Sequence, residues 1–251
     1  MSAAVHTFAP APTSRASRSP KVLARFAGVL YLLQAFAAFN EGYVLPRTVR
    51  TDNAAATAAA VRASATLFRL GFLADLATAM FWLLTAMALY GLLHHVHRAA
   101  AAAMVTFAAV GAAIMVFDQV CQFVALTIAT GADNAHTFGG AGSDRLTLIF
   151  VDLQRAGSAS DNVFFGLWLL PLGYLVIRSG YFPRILGVLQ VIACVGYVAA
   201  TYVIFLAPAL GSGYVSYVMV PAATAGELTF IVWLIVKGVR QPTPAWTAPA
   251  Q

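Results

Sequence analysis

The sequence predicts an all-α fold: a polytopic membrane helical bundle with six transmembrane helices. Three observations carry this. The 251 residues are 61% hydrophobic and only 10% charged, against roughly 25% charged in an ordinary soluble domain. The mean hydropathy of +0.80 agrees. Apolar runs long enough to cross a bilayer recur along the chain, and Lys and Arg collect mostly in the short gaps between them, as on a membrane protein's cytoplasmic rim. The formal charge of +6 does not indicate nucleic-acid binding, because the basic residues form no stripe and do not interleave with aromatics. The partner that the composition predicts is the lipid bilayer.

Residues 1–20 are rich in Ala, Pro and Ser. No apolar stretch precedes them, so they read as a disordered cytoplasmic tail rather than a signal peptide. The transmembrane domain is expected over 21–238, with a flexible cytoplasmic tail over 239–251. The first span runs from about Val22 to Leu45 and ends at Pro46. The Ala-rich external stretch that follows favours helix, with Asp52 or Asn53 as its cap. The second span is about Leu67 to Leu93, closed by HHVHR, and the third is about Ala99 to Thr130. At about 1.5 Å per residue the third exceeds a hydrocarbon core of roughly 30 Å, so it must tilt or protrude. Gly131 and the following ADNAHTFGGAG read as a loop.

The region from Ser143 to Ile177 is less regular, with a polar centre between apolar ends. It reads as one long span weakened near Ala156–Ser160 and bent further at Pro171. A re-entrant half-helix followed by a span is the alternative. The fifth span is about Ile185 to Leu206, and the sixth about Tyr214 to Val236. With both termini inside, cytoplasmic segments hold nine Lys and Arg and external segments four. That bias predicts an N-in, C-in orientation.

The spans contain charge. Glu41, Arg69, Asp75, Asp118, Asp152, Arg155 and Glu227 all lie within them, where an ionised group is worth several kcal/mol or more of penalty in lipid (order of magnitude). Counted from the span ends, most of these fall in the outer half, which predicts an outward-facing polar pocket. Asp118 and Gln122 are four apart and share a helix face, with Gln119 beside them; Asp152 and Arg155 are three apart and are placed to pair. Five acids beside two arginines cannot all remain ionised in a dry core. One or more must be protonated near neutral pH, face water or bind a cation. Asp75, Asp118, Asp152 and Glu227 are therefore the candidate catalytic acids, and Glu41, Arg69, Gln119, Gln122 and Arg155 the candidate pocket lining.

Other motifs carry less. His94, His95 and His97 resemble a metal clue but lack nearby carboxylates or cysteines; placement at a helix C-terminus explains them. No HExxH, GxSxG or Walker loop is present. Cys121 and Cys194 sit in apolar runs with no metal-ligand spacing. The sequence calls for no metal and no cofactor, and it leaves the oligomeric state open.

The stretches ARFAGVLYLLQ, ATLFRLGFLADL, VFFGLWLLPLGYLVIRSGYFPRILGVL and PAATAGELTF resemble the DUF4386 family of bacterial integral membrane proteins over about residues 22–238. The resemblance implies a compact multi-span protein of the bacterial inner (cytoplasmic) membrane. It also implies that Arg69, Asp75, Asp152 and Glu227 belong to the family pattern; Gln154 stands where many members carry His. Three functions stay open. An intramembrane acid–base enzyme, of isomerase or cyclase type, would use a protonated acid on an isoprenoid or lipid-like substrate in an aromatic-lined cavity. A small-solute or proton-coupled transporter would need a path to both sides. A structural or accessory subunit would show every charge paired and no cavity.

Overall fold

The computed structural model describes residues 19–34, 39–50, 52–207 and 220–240. The expected tails fall largely outside these residues, as does 208–219, where the sixth span was expected to begin. Among the described residues every regular element is helical. Helix α1 is Pro20–Leu33, and a π-helical turn, Asn40–Val44, runs into the short α2, Leu45–Thr48. The expected first span is thus not one continuous α-helix. Glu41 sits on the π-helical turn.

Helix α3 is Ala54–Ala63, and Asn53 caps it as expected, its side chain accepting from Ala56 N at 2.9 Å. Helix α4 is Ala65–Leu93 and α5 is Arg98–Thr130. The turn between them uses two of the histidines: His94 Nδ1 lies 3.0 Å from Tyr90 O, and His97 Nδ1 accepts from Ala100 N at 3.0 Å. Those bonds hold the two rings at the turn.

Helix α6, Ala132–Leu167, corrects two expectations. The segment after Gly131 is helical rather than a loop, and its one irregularity is Gly139, whose φ of 69° kinks the helix. A glycine adopts that left-handed conformation at little steric cost. The polar stretch near Ala156–Ser160 is also helical. The interruption comes later, at Trp168, before α7, Leu169–Ser179. Pro171 explains its position. Proline has no N–H to donate to Leu167 O, so the ladder breaks there, and the next bond, Leu172 N to Trp168 O, is stretched to 3.3 Å. The chain is helical from His136 to Ser179 apart from that turn and the kink at Gly139.

Helix α8 is Arg184–Leu206, and α9 is Val220–Val236. Four stretches are long and apolar enough to cross a membrane: Ala65–Leu93, Arg98–Thr130, His136–Ser179 and Arg184–Leu206; Thr224–Val236 is a shorter apolar helix. Large apolar side chains such as Phe26, Leu73, Phe117, Val195 and Val232 are exposed, whereas Gln119, Gln122 and Gln190 are buried. A soluble fold would invert that arrangement. The protein is a multi-pass membrane protein.

The helices close a ring. Helix α1 packs on α4, α4 on α5, α5 on α6, α6 on α8, α8 on α9, and α9 returns to α1. Trp82 and Trp168 are fully buried in its centre, 6.1 Å apart edge to face, with Tyr31 5.3 Å from Trp168. Such aromatic pairs add about 0.5–1.5 kcal/mol beyond packing alone. Helices α7 and α8 touch through Gly173 and Gly187: a Cβ on either would stand 2.6 Å from the other's carbonyl oxygen. Small residues at such a seam let two helix backbones approach, which drives association where lipid removes the hydrophobic effect.

Candidate functional site

At about 1.5 Å per residue, Asp75 lies about 15 Å from the start of α4 at Ala65. Gln119 lies about 16 Å from the end of α5 at Thr130, and Tyr197 about 14 Å from the end of α8 at Leu206. These three helix ends belong to the same end of the bundle, because successive long helices run antiparallel. The described residues surround a cavity of about 710 Å³ at that level. Its polar wall includes Gln34, Glu41, Asp75, Gln119, Arg155 and Asp161; Phe165, Tyr197 and Phe205 supply an aromatic wall.

Asp75 is held from two sides. Asn40 Nδ2 donates to its Oδ2 at 2.5 Å, and Gln119 Nε2 donates to the same oxygen at 2.9 Å. Asn40 Nδ2 is also 3.1 Å from Gln122 Oε1, and Gln122 Nε2 donates to Phe68 O at 3.2 Å. This network fastens the π-helical turn to α4 and α5. Asp75 itself is 4% exposed. Its Oδ1, like Gln119 Oε1 and Gln34 Oε1, is buried without a hydrogen-bond partner among the described residues.

Glu227 forms a second site behind the cavity wall. Tyr197 OH donates to its Oε1 at 2.7 Å, and Tyr31 OH donates to its Oε2. The carboxylate therefore ties α1, α8 and α9 together. Tyr197 lines the cavity, so its hydroxyl is the link between the cavity and Glu227.

The remaining candidates divide. Glu41 and Arg155 line the cavity, and Glu41 accepts from Ser158 Oγ at 3.5 Å. Asp118 is buried with Oδ2 unpartnered among the described residues, packed against Gly157. A Cβ at residue 157 would overlap the Asp118 carboxylate, so the glycine is what admits it. Arg69 is exposed beside a small apolar groove with Phe68, Phe72 and Phe123. Asp152 is exposed and is not among the cavity's lining residues. The expected Asp152–Arg155 pair does not form; among the described residues the ion pair is Arg62–Asp144, at 3.0 Å. The two side chains share a helix face, but Arg155 turns to the cavity instead.

Sequence reasoning missed Gln34, Asn40, Asp161, Tyr31 and Tyr197. Asp161 had a signal. Thr147, Gln154, Asp161 and Trp168 recur every seven positions and are all buried, which marks one inward face of the long helix. Among the described residues no group of three or more His, Cys, Asp or Glu side chains is placed to hold a metal ion.

A stretch of 76 residues is 38% identical to an uncharacterized protein of Archaeoglobus fulgidus, covering 30% of this chain and 43% of that relative. The match thus spans less than half of the relative's length. No solved structure matches the chain. A family model described as a domain of unknown function, DUF4386, matches residues 26–238, almost the whole bundle, and the chain belongs to that family.

Proposed function

We propose that the chain is a six-span protein of the bacterial cytoplasmic membrane, N-in and C-in, that binds an apolar or amphiphilic small molecule in its outer-half cavity and exchanges protons with it. The observation that carries this reading is the cavity itself, with Asp75 and Asp161 at its wall beside an aromatic surface. Its volume of about 710 Å³ falls in the ordinary range for small-molecule sites, about 300–1,000 Å³. Ionisable groups inside a membrane protein mark functional sites by default, because lipid penalises them. A purely structural subunit would be expected to pair such groups; Asp75 Oδ1 and Gln119 Oε1 are left without partners among the described residues.

In this reading Asp75 and Asp161 are the acids that touch the bound molecule, and Asn40 and Gln119 orient Asp75. Phe165 and Phe205 shield the apolar part and would stabilise positive charge developing on it. Glu227 acts only through Tyr197. Asp118 packs behind the wall at Gly157, and Asp152 has no part. Isomerisation or cyclisation of an isoprenoid-like chain is the chemistry such acids perform without a cofactor.

Deuterium incorporation tests the proposal. Vesicles carrying the protein and a bacterial lipid extract are incubated in heavy water, and the lipids are read by mass spectrometry. At least one species is expected to gain carbon-bound deuterium, and Asp75→Asn or Asp161→Asn to suppress it. No gain over protein-free vesicles overturns the proton-transfer reading.

A further inference from the structure

Away from the cavity, helices α4 and α5 form a groove of about 190 Å³. Phe68, Phe72, Leu73, Phe123 and Leu126 line it, together with Arg69 and Gln122. The Phe72 and Phe123 rings lie 5.7 Å apart. The groove faces lipid. Leu73 and Phe123 are exposed, as are Leu70 and Val120, three positions from them on the same helix faces. Gln122 turns its polar atoms inward: Nε2 donates to Phe68 O at 3.2 Å, and Oε1 accepts from Asn40 Nδ2 at 3.1 Å. Of the described residues that line the groove, Arg69 alone carries charge.

That arginine differs from others near it in sequence. Arg62 pairs with Asp144 at 3.0 Å. Arg50 donates to Pro46 O at 2.9 Å, and Arg47 stacks on the Tyr43 ring at 3.6 Å. Arg69 is exposed and makes no hydrogen bond or ion pair among the described residues. On a lipid-facing surface its counter-charge must come from outside the chain. A guanidinium offers a planar fork of N–H donors that matches a phosphate oxygen pair.

The groove also has a polarity. At about 1.5 Å per residue, Arg69 lies about 6 Å from the start of α4 at Ala65 and Leu126 about 6 Å from the end of α5 at Thr130, whereas Leu73 and Phe123 lie about 12 and 11 Å in. The cation therefore stands at the end of the bundle, and the apolar walls run from it toward the middle. A membrane lipid has the same order, with its head at the surface and its chains inward. A volume of about 190 Å³ is below the roughly 300–1,000 Å³ of a site that encloses a small molecule, so it takes part of one chain laid in from the side.

We propose that this groove is a binding site for an anionic glycerophospholipid, its phosphodiester on Arg69 and one acyl chain between Phe72 and Phe123. Entry is lateral, from the bilayer that already covers this face. Charge sets the choice of lipid, and the groove separates a held lipid from one that only passes the surface.

Binding of dioleoyl phosphatidylglycerol and dioleoyl phosphatidylcholine to the delipidated full chain in a maltoside detergent tests this, read by native mass spectrometry. The two probes share their chains and differ in headgroup charge. The first phosphatidylglycerol is expected to bind about fivefold tighter than the first phosphatidylcholine, the worth of one arginine beside an anionic headgroup. Arg69→Gln, at an exposed and unpaired position, should bring the two lipids level. Phe123→Ala should weaken both severalfold and keep the preference. Arg47→Gln, which removes an exposed arginine already stacked on Tyr43, should leave both unchanged. Equal binding of the two lipids by the wild type overturns the proposal, as does a preference that survives Arg69→Gln or falls equally with Arg47→Gln. Binding indifferent to Phe123→Ala, or a lipid-free dimer in which a second copy covers the groove, overturns it too.

Discussion

Removing the two tyrosine hydroxyls from Glu227, singly and together, reads the geometry of the buried acid directly. Tyr31 and Tyr197 donate one hydrogen bond each to different oxygens of one carboxyl group that is 5% exposed. Hydrogen bonds to charged groups contribute about 1.5–3 kcal/mol in soluble proteins, whereas polar contacts between membrane helices contribute about 0.6–2 kcal/mol. Tyr31→Phe and Tyr197→Phe should therefore each destabilise by about 1–2 kcal/mol, a factor of roughly 5–30 in the folding equilibrium. The double variant should cost more than the sum, by about 0.5 kcal/mol or more, because the second deletion leaves the acid with neither tyrosine donor. Adding Glu227→Leu to the double variant should recover part of the loss, since replacing all partners by apolar groups removes the orphan. Detergent-driven unfolding in mixed micelles, followed by tryptophan fluorescence, measures all four. Single losses below about 0.3 kcal/mol, or a strictly additive double variant, would refute the shared-carboxylate reasoning.

Two further predictions concern the wall and the topology. Gly157→Ala places a Cβ on the Asp118 carboxylate and should destabilise by about 1–3 kcal/mol through overpacking; adding Asp118→Ala to it should restore most of the loss, and failure to do so would separate the two residues. For orientation, a cysteine at His136 should react with an impermeant maleimide in intact cells and one at Gln251 only after lysis. The opposite pattern would invert the assigned orientation.

The fold was legible where composition alone decides an element. Helices α4, α5 and α8 follow continuous apolar runs bounded by basic residues, Gly or Pro, and depth in the bilayer follows from the constant rise per residue. That Asp75 and Gln119 lie at one level of the bundle was therefore readable. Shared faces were read for Asp118 with Gln122 and Asp152 with Arg155, but which face of the long helix points inward was not, although the helical period encodes it. Asp152 and Asp161 stand nine positions apart, about 900° at 100° per residue, and so point to opposite faces. The aspartate beside an arginine attracted attention, but the one in phase with Thr147, Gln154 and Trp168 is buried at the cavity. The Asp75 network was half readable: Gln119 and Gln122 were in view, but Asn40 reaches Asp75 from a π-helical turn that no periodicity in an apolar run announces. Tyr31 and Tyr197 escaped because an aromatic in a span reads as packing, and only the meeting of α1, α8 and α9 shows that both hydroxyls serve Glu227. The break at Trp168 followed Pro171 rather than the polar run near Ala156–Ser160 because helix in a membrane tolerates polar side chains facing inward and not the loss of a backbone donor.

The most direct measurement is a density map of the protein extracted in patches of native membrane. Non-protein density in the cavity, reaching from Gln34 and Asp75 toward Phe165 and Phe205 in the wild type and absent from an Ala159→Trp variant that fills the space, is the predicted result. Side chains closed together across that space, with Asp75 Oδ1 also taken up by a protein donor and no room for a ligand, would contradict the account.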